Sequence, residues 1–143
     1  MPYIETSLLV ASYCPEKGSV KSQKYLQSQN QFIISWLTLV EFASAIAKRM
    51  RAKELLLNQG INIYNLFDSH IKQDLYDVVS VQRNDFESAQ ELISNLGHTL
   101  ALRTLDALHI ALAKRQKLVM ATADKKLAES SKRLGLKTDF IQY

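Results

Sequence analysis

Apolar residues along the chain follow two alternating rhythms. Short β-branched or aromatic runs suit buried strands: "PYIET" (2–6), "QFIISW" (31–36), "DVVSVQ" (77–82), "KLVMATA" (117–123) and the closing "KTDFIQY". Between them lie stretches with helical spacing. "SLLVASY" opens a first helix with Ser7 near its cap, and "VKSQKYLQS" (20–28) has so few apolar positions that it reads as a surface helix. Residues 38–56 form one long helix whose Thr38-x-x-Glu41 start matches a reciprocal cap. A further helix runs through "IYNLFDSHIKQDL", and "DFESAQELISNLG" (85–97) is amphipathic with a glycine stop. "LRTLDALHIALAKRQ" (102–116) is helical and rich in Leu and Ala, and "DKKLAESSKRLG" (124–135) is helical with a polar face. With four glycines and two prolines in the chain, most turns fall to Asn, Ser and Lys, and "LNQGIN" (57–62) stands out as the flexible spot.

Strands alternating with helices predict a parallel sheet covered on both faces, an α/β fold. A chain of 143 residues fits one domain, 1–143. No apolar run approaches a membrane span and no leader pattern opens the chain, so a cytoplasmic protein without membrane contact is expected. The single cysteine, Cys14, excludes an internal disulfide and a cysteine-based metal site. A net charge of +4 leans weakly toward a polyanionic partner.

In open parallel sheets, ligands bind beyond the carboxyl ends of the strands where the strand order reverses. Four acids can reach that end. Glu5 ends the first strand, Asp124 follows the "MAT" run, and Glu41 and Asp106 lie near helix starts. Carboxylates crowded together repel, and a divalent cation relieves the repulsion. Mg²⁺ takes hard oxygen ligands from one or two carboxylates and keeps several waters, the arrangement used to hydrolyse phosphodiesters.

Each acid also has a plain structural role open to it. Asp106 can pair with Arg103 or favour its helix N-terminus, Glu41 can serve the Thr38 cap, Asp124 can cap the next helix, and Glu5 can simply face solvent. His109 falls on the buried side of its helix and reads as a satisfied core histidine, whereas His98 reads as exposed. "KRMRAK" (48–53) suits a solvated helix face and also suits contact with a phosphate backbone. Trp36 and the tyrosines read as core and interface residues.

"YIETSLL", "TLVEFASAI", "LRTLDALHIALA" and "MATADKKLAESSKRLGL" resemble, in order and spacing, the four motifs of PIN-domain proteins, specifically VapC-type toxins of toxin–antitoxin pairs. The resemblance spans essentially the whole chain, and "LRTLDALHIA" is its most specific part. It implies a parallel sheet of about five strands between helices, and ribonuclease activity with Mg²⁺ or Mn²⁺. It makes Glu5, Glu41, Asp106 and Asp124 the acidic, metal-holding quartet, with the Ser7 and Thr122 hydroxyls near metal and scissile phosphate. It also implies homodimers, an RNA substrate and a cognate antitoxin. The first acid of the family is usually Asp, whereas this chain has Glu5, one methylene longer. That departure sustains an alternative reading, a catalytically weak or inactive PIN domain acting as a binding or regulatory module.

Overall fold

A computed structural model describes residues 1–143. Five strands form one parallel sheet in the order β3-β2-β1-β4-β5. They are β1 (Tyr3–Ile4), β2 (Phe32–Ser35), β3 (Tyr76–Val79), β4 (Met120–Thr122) and β5 (Thr138–Phe140). Seven helices connect them: α1 (Thr6–Tyr13), α2 (Ser19–Gln27), α3 (Trp36–Arg51), α4 (Leu57–Lys72), α5 (Arg83–Leu96), α6 (Thr104–Arg115) and α7 (Lys125–Arg133). No helix is long and apolar enough to cross a membrane.

Because successive strand side chains point to opposite faces, each inner strand feeds two cores. Ile4, Phe32, Ile34 and Ala121 pack with apolar side chains of α1 to α4. Tyr3, Ile33 and Met120 pack on the other face with Ile110, Leu112 and Leu127 of α6 and α7. A smaller cluster of Ala89, Ala107, Leu108 and Ala111 joins α5 to α6, the small residues letting the two helices approach closely. The predicted layered α/β architecture is therefore the observed one.

Several local expectations are corrected. The long third helix starts earlier, at Trp36, and its cap is Ser35. The Ser35 hydroxyl accepts from the Thr38 amide (3.4 Å) while the Thr38 hydroxyl accepts from the Ser35 amide (3.2 Å). Thr38 is thus the reciprocal partner of the cap, and Glu41 is freed from capping. The same helix ends at Arg51, where the chain turns through Lys53 at φ 59°, instead of running on to 56. "LNQGIN" is the first part of α4, because Leu56 and Gln59 form a cap there and Gly60 lets the Met50 side chain lie against the backbone. Helix α1 begins at Thr6 with Glu5 as its cap, in place of Ser7. Trp36 is 59% exposed and no part of the core.

One ion pair clamps the α5–α6 layer to the sheet. Asp85, 1% exposed, accepts two bonds from the Arg115 guanidinium (2.7 and 2.9 Å) and one from the Gln82 amide (2.8 Å). Arg115 also donates to the Ser80 carbonyl just beyond β3 (3.3 Å). Burial alone would raise the Asp85 pKa, but the Arg115 and Gln82 bonds outweigh it and hold the carboxyl below the usual carboxylate range. An acid with a depressed folded pKa stabilises the fold above its unfolded value, and the gain is lost as pH falls through the folded one. Asp85→Asn is therefore expected to cost about 2 kcal/mol at pH 7 in urea denaturation. The gap between parent and variant should close below about pH 4.

Candidate active site at the switch in strand order

From β1 the chain builds the sheet outward through β2 and β3, then returns to the other side of β1 with β4 and β5. The reversal lies between β1 and β4, so a crevice opens at their carboxyl ends. Strand β1 has only two residues because the next one, Glu5, already caps α1. Its carboxylate is 6% exposed and sits across this crevice. One oxygen accepts from the Ser7 hydroxyl (2.5 Å), the Ser7 amide (3.2 Å) and the Thr122 hydroxyl of β4 (2.7 Å). Ser7 and Thr122 in turn accept from the Ala123 and Asp124 amides (3.1 and 3.0 Å), which fixes the β4–α7 turn against α1. Burial pushes the Glu5 pKa up, and the hydrogen bonds that favour its charged form offset this only in part.

Glu41 lies one and a half turns into α3, 20% exposed at its side chain. It accepts from the Thr6 hydroxyl (2.7 Å) and from Nε2 of His109, which is completely buried on α6. The other ring nitrogen of His109 meets the Tyr3 hydroxyl (2.5 Å), which meets the Ser35 hydroxyl (3.0 Å). The chain of bonds is satisfied when Tyr3 donates to Nδ1 and Nε2–H donates to Glu41. Burial raises the Glu41 pKa, but His109 and Thr6 outweigh it and hold the carboxyl below the usual range. His109 is thus a buried histidine, as its position in the motif suggested, and it also steers one of the four acids.

Asp106 stands in the first turn of α6 and Asp124 caps α7, accepting from the Leu127 amide (3.1 Å). One guanidinium joins them. Arg103 Nε donates to Asp106 (3.0 Å) and an Arg103 terminal nitrogen donates to Asp124 (3.3 Å). The salt-bridge reading of Asp106 and the capping reading of Asp124 are both realised, without removing either from the sheet's carboxyl end.

An open groove of about 720 Å³ runs along this end. Glu5, Ser7, Glu41 and Asp124 line it together with Arg103, Lys48 and Arg49. Asp106 opens into an adjoining pocket of about 420 Å³ that shares Arg103 and Asp124 with the groove. The four acids therefore line two adjoining cavities, and no three acidic or histidine side chains are arranged around a common point for a metal ion. The donor set itself is all hard oxygen, and a buried carboxylate with a raised pKa gains from a nearby cation, so the residues suit Mg²⁺ or Mn²⁺ in kind.

Sequence reading missed Thr6, Tyr3 and the double reach of Arg103. The signals were faint: a tyrosine hydroxyl in a fully buried strand needs a partner, and Thr6 sits between two residues already singled out.

A family model described as PIN domain matches residues 3–132. No curated protein matches the chain by sequence. Among solved structures, the VapC20 toxin of Mycobacterium tuberculosis, described as cleaving the sarcin–ricin loop, superposes with a TM-score of 0.72 at 13% identity, covering 91% of this chain and 95% of that one. VapBC2 of Rickettsia felis, bound to promoter DNA, gives 0.69 at 17% identity over 98% of both chains. A toxin–antitoxin complex from Klebsiella pneumoniae gives 0.64 at 15% identity, over 90% of this chain and 91% of that one. At these identities the structures speak for a shared fold.

Neutralising Glu5 in the metal-free protein should stabilise it. An acid whose folded pKa is raised loses stability as pH climbs from its unfolded value toward the folded one, so the penalty builds up above the ordinary carboxylate range. Glu5→Gln keeps an oxygen for the Ser7 and Thr122 donors and drops the charge. Thermal melting at pH 7 should show a rise of about 3 °C over the parent. A fall of that size would mean that the carboxylate charge is an asset to the metal-free fold.

Proposed function

Because the chain belongs to the PIN domain family, we propose that it is a metal-dependent ribonuclease of the VapC toxin type, hydrolysing RNA phosphodiester bonds. The observation that carries this reading is the groove at the β1/β4 switch, lined by the carboxylates of Glu5, Glu41 and Asp124, with Lys48 and Arg103 as its cationic wall. The acids suit a hard cation, while the cationic wall suits a phosphate backbone. Glu5, Glu41, Asp106 and Asp124 would hold Mg²⁺ or Mn²⁺. When bound, the ion supplies an activated water and charge neutralisation for the leaving oxygen.

The protein's own part is orientation. Ser7 and Thr122 fix the Glu5 carboxylate by hydrogen bonds across the two central strands, and Thr6 with His109 fix Glu41. Ser7 and Thr122 would thus lie beside the metal and the scissile phosphate, each with its single proton committed to Glu5. A product RNA end leaves through the open side of the groove.

The VapBC2 and Klebsiella complexes support a cognate antitoxin as a partner, and we propose that it neutralises the chain by covering the groove. We also infer a homodimer, to which exposed apolar side chains near the starts of α3 and α5, Trp36, Val40 and Phe86, could contribute. We place the protein in the cytoplasm, where its RNA substrate is. The Arg103 bridge across two of the acids also accords with a binding module that does not turn over RNA.

Incubation of the pure protein with a mixed RNA pool, with and without Mg²⁺ or Mn²⁺, separates these readings. Cleavage that needs the ion is expected, with Asp106→Asn losing at least a hundredfold in rate while melting within a few degrees of the parent. Equal rates in parent and variant would remove Asp106 from the quartet. No cleavage with either ion, alongside retained RNA binding, would establish the binding module instead.

A further inference from the structure

Arg103 divides the acidic end of the site in two. It is the residue that, with Asp124, borders both the main groove and the pocket that holds Asp106. Its guanidinium bridges Asp106 and Asp124, yet its side chain is 76% exposed and receives no other support. It precedes α6 as the cap residue without making a side-chain capping bond, so its geometry is no requirement of the helix. The carboxylates of Asp106 and Asp124 are largely sheltered, 13% and 28% exposed, but the guanidinium between them stands in water, and an ion pair hydrated on one side is weak. A wall held by two weak bonds opens readily, and opening it would merge the two cavities and bring all four carboxylates to one space.

We propose that Arg103 is a displaceable internal counter-cation, which closes the acidic site by bridging Asp106 and Asp124 and exchanges these carboxylates for an RNA phosphate when the site is loaded. The exchange rests on the ribonuclease reading above. A guanidinium suits both halves of it, because its planar fork bonds carboxylate and phosphate oxygens with similar geometry. Charge favours the exchange as well. A divalent ion among the acids repels the guanidinium outward, and the exposed side of the groove is where a phosphate backbone would arrive. Lys48 lines the same groove, beside an Arg49 that is paired with Glu16 (3.0 and 3.2 Å), so a released Arg103 would stand with Lys48 along its length. Metal loading and RNA capture become one coupled event, with no loop required to move.

The signature is a pair of effects with opposite sign. Arg103→Gln should bind Mn²⁺ about fivefold tighter than the parent, measured by calorimetry without RNA, because the ion no longer competes with the guanidinium. The same variant should bind a 2′-O-methyl single-stranded oligonucleotide in the presence of Mn²⁺ about tenfold more weakly, measured by fluorescence anisotropy, because one charged phosphate contact is gone. Arg103→Lys should fall between parent and Gln on both axes. Lys126 borders the same small pocket without joining the bridge, so Lys126→Gln controls for the general loss of a positive charge and should change Mn²⁺ affinity less than twofold. Unchanged or weaker Mn²⁺ binding in Arg103→Gln, or an equal gain in Lys126→Gln, would overturn the counter-cation role. Unchanged oligonucleotide affinity would overturn the exchange. A parent that cleaves RNA with Mn²⁺ while either result holds would leave the ribonuclease reading standing and remove only this one. If neither parent nor Arg103→Gln binds Mn²⁺, both fall together.

Discussion

A single buried carboxylate sets the terms for this molecule. Glu5 ends the central strand, caps the first helix and accepts three hydrogen bonds on one oxygen, at the one place where the sheet changes direction. Negative charge in such a position is costly unless it is surrounded by donors. The surrounding chain is arranged accordingly. Ser7 and Thr122 supply hydroxyls, the backbone amides behind them hold those hydroxyls in line, Glu41 has Thr6 and His109, and Asp106 and Asp124 share Arg103. Strand length, helix start and turn geometry around the crevice all follow from this one accommodation.

The layered architecture was readable from the alternation of β-branched runs with helical spacing, because a parallel sheet buried on both faces leaves that pattern in any chain. The position of the acids was readable for a related reason: residues that end strands or begin the following helices gather at the carboxyl edge. What the pattern does not encode is contact between distant segments. Tyr3 reaches His109 across 106 positions and Thr122 reaches Glu5 across 117. Local signals also misled where two explanations competed for one residue. Thr38-x-x-Glu41 has the composition of a reciprocal cap, but Ser35 precedes it at the end of β2 and takes the cap, so the helix begins two residues earlier and Glu41 faces inward. "LNQGIN" has the composition of a loop, but tertiary packing of Ile63 and Phe67 on the sheet pulls it into α4. Propensity sets a preference of a fraction of a kcal/mol per residue, which packing overrides.

The relation between fold and family is of the same kind. Chains with 13–17% identity share the arrangement of strands, because the layered core tolerates many apolar substitutions of similar volume. This explains why the family is visible across almost the entire chain while the individual character of the site lies in a handful of residues, among them Glu5 and Arg103.

The hydrogen-bonded path from Ser35 through Tyr3 and His109 to Glu41 closes on itself, since Ser35 and Glu41 belong to the same stretch of backbone at the start of α3. A closed circuit behaves differently from a row of separate bonds. Its members are linked through β2, β1, α6 and α3, so each holds the next at a fixed bearing, and breaking one link loosens its neighbours. The energetic worth of these four side chains is therefore a property of the circuit as a whole and cannot be divided among them. A substitution at Tyr3 or His109 is then felt at the Glu41 carboxylate in the groove, although both residues are sealed inside the protein.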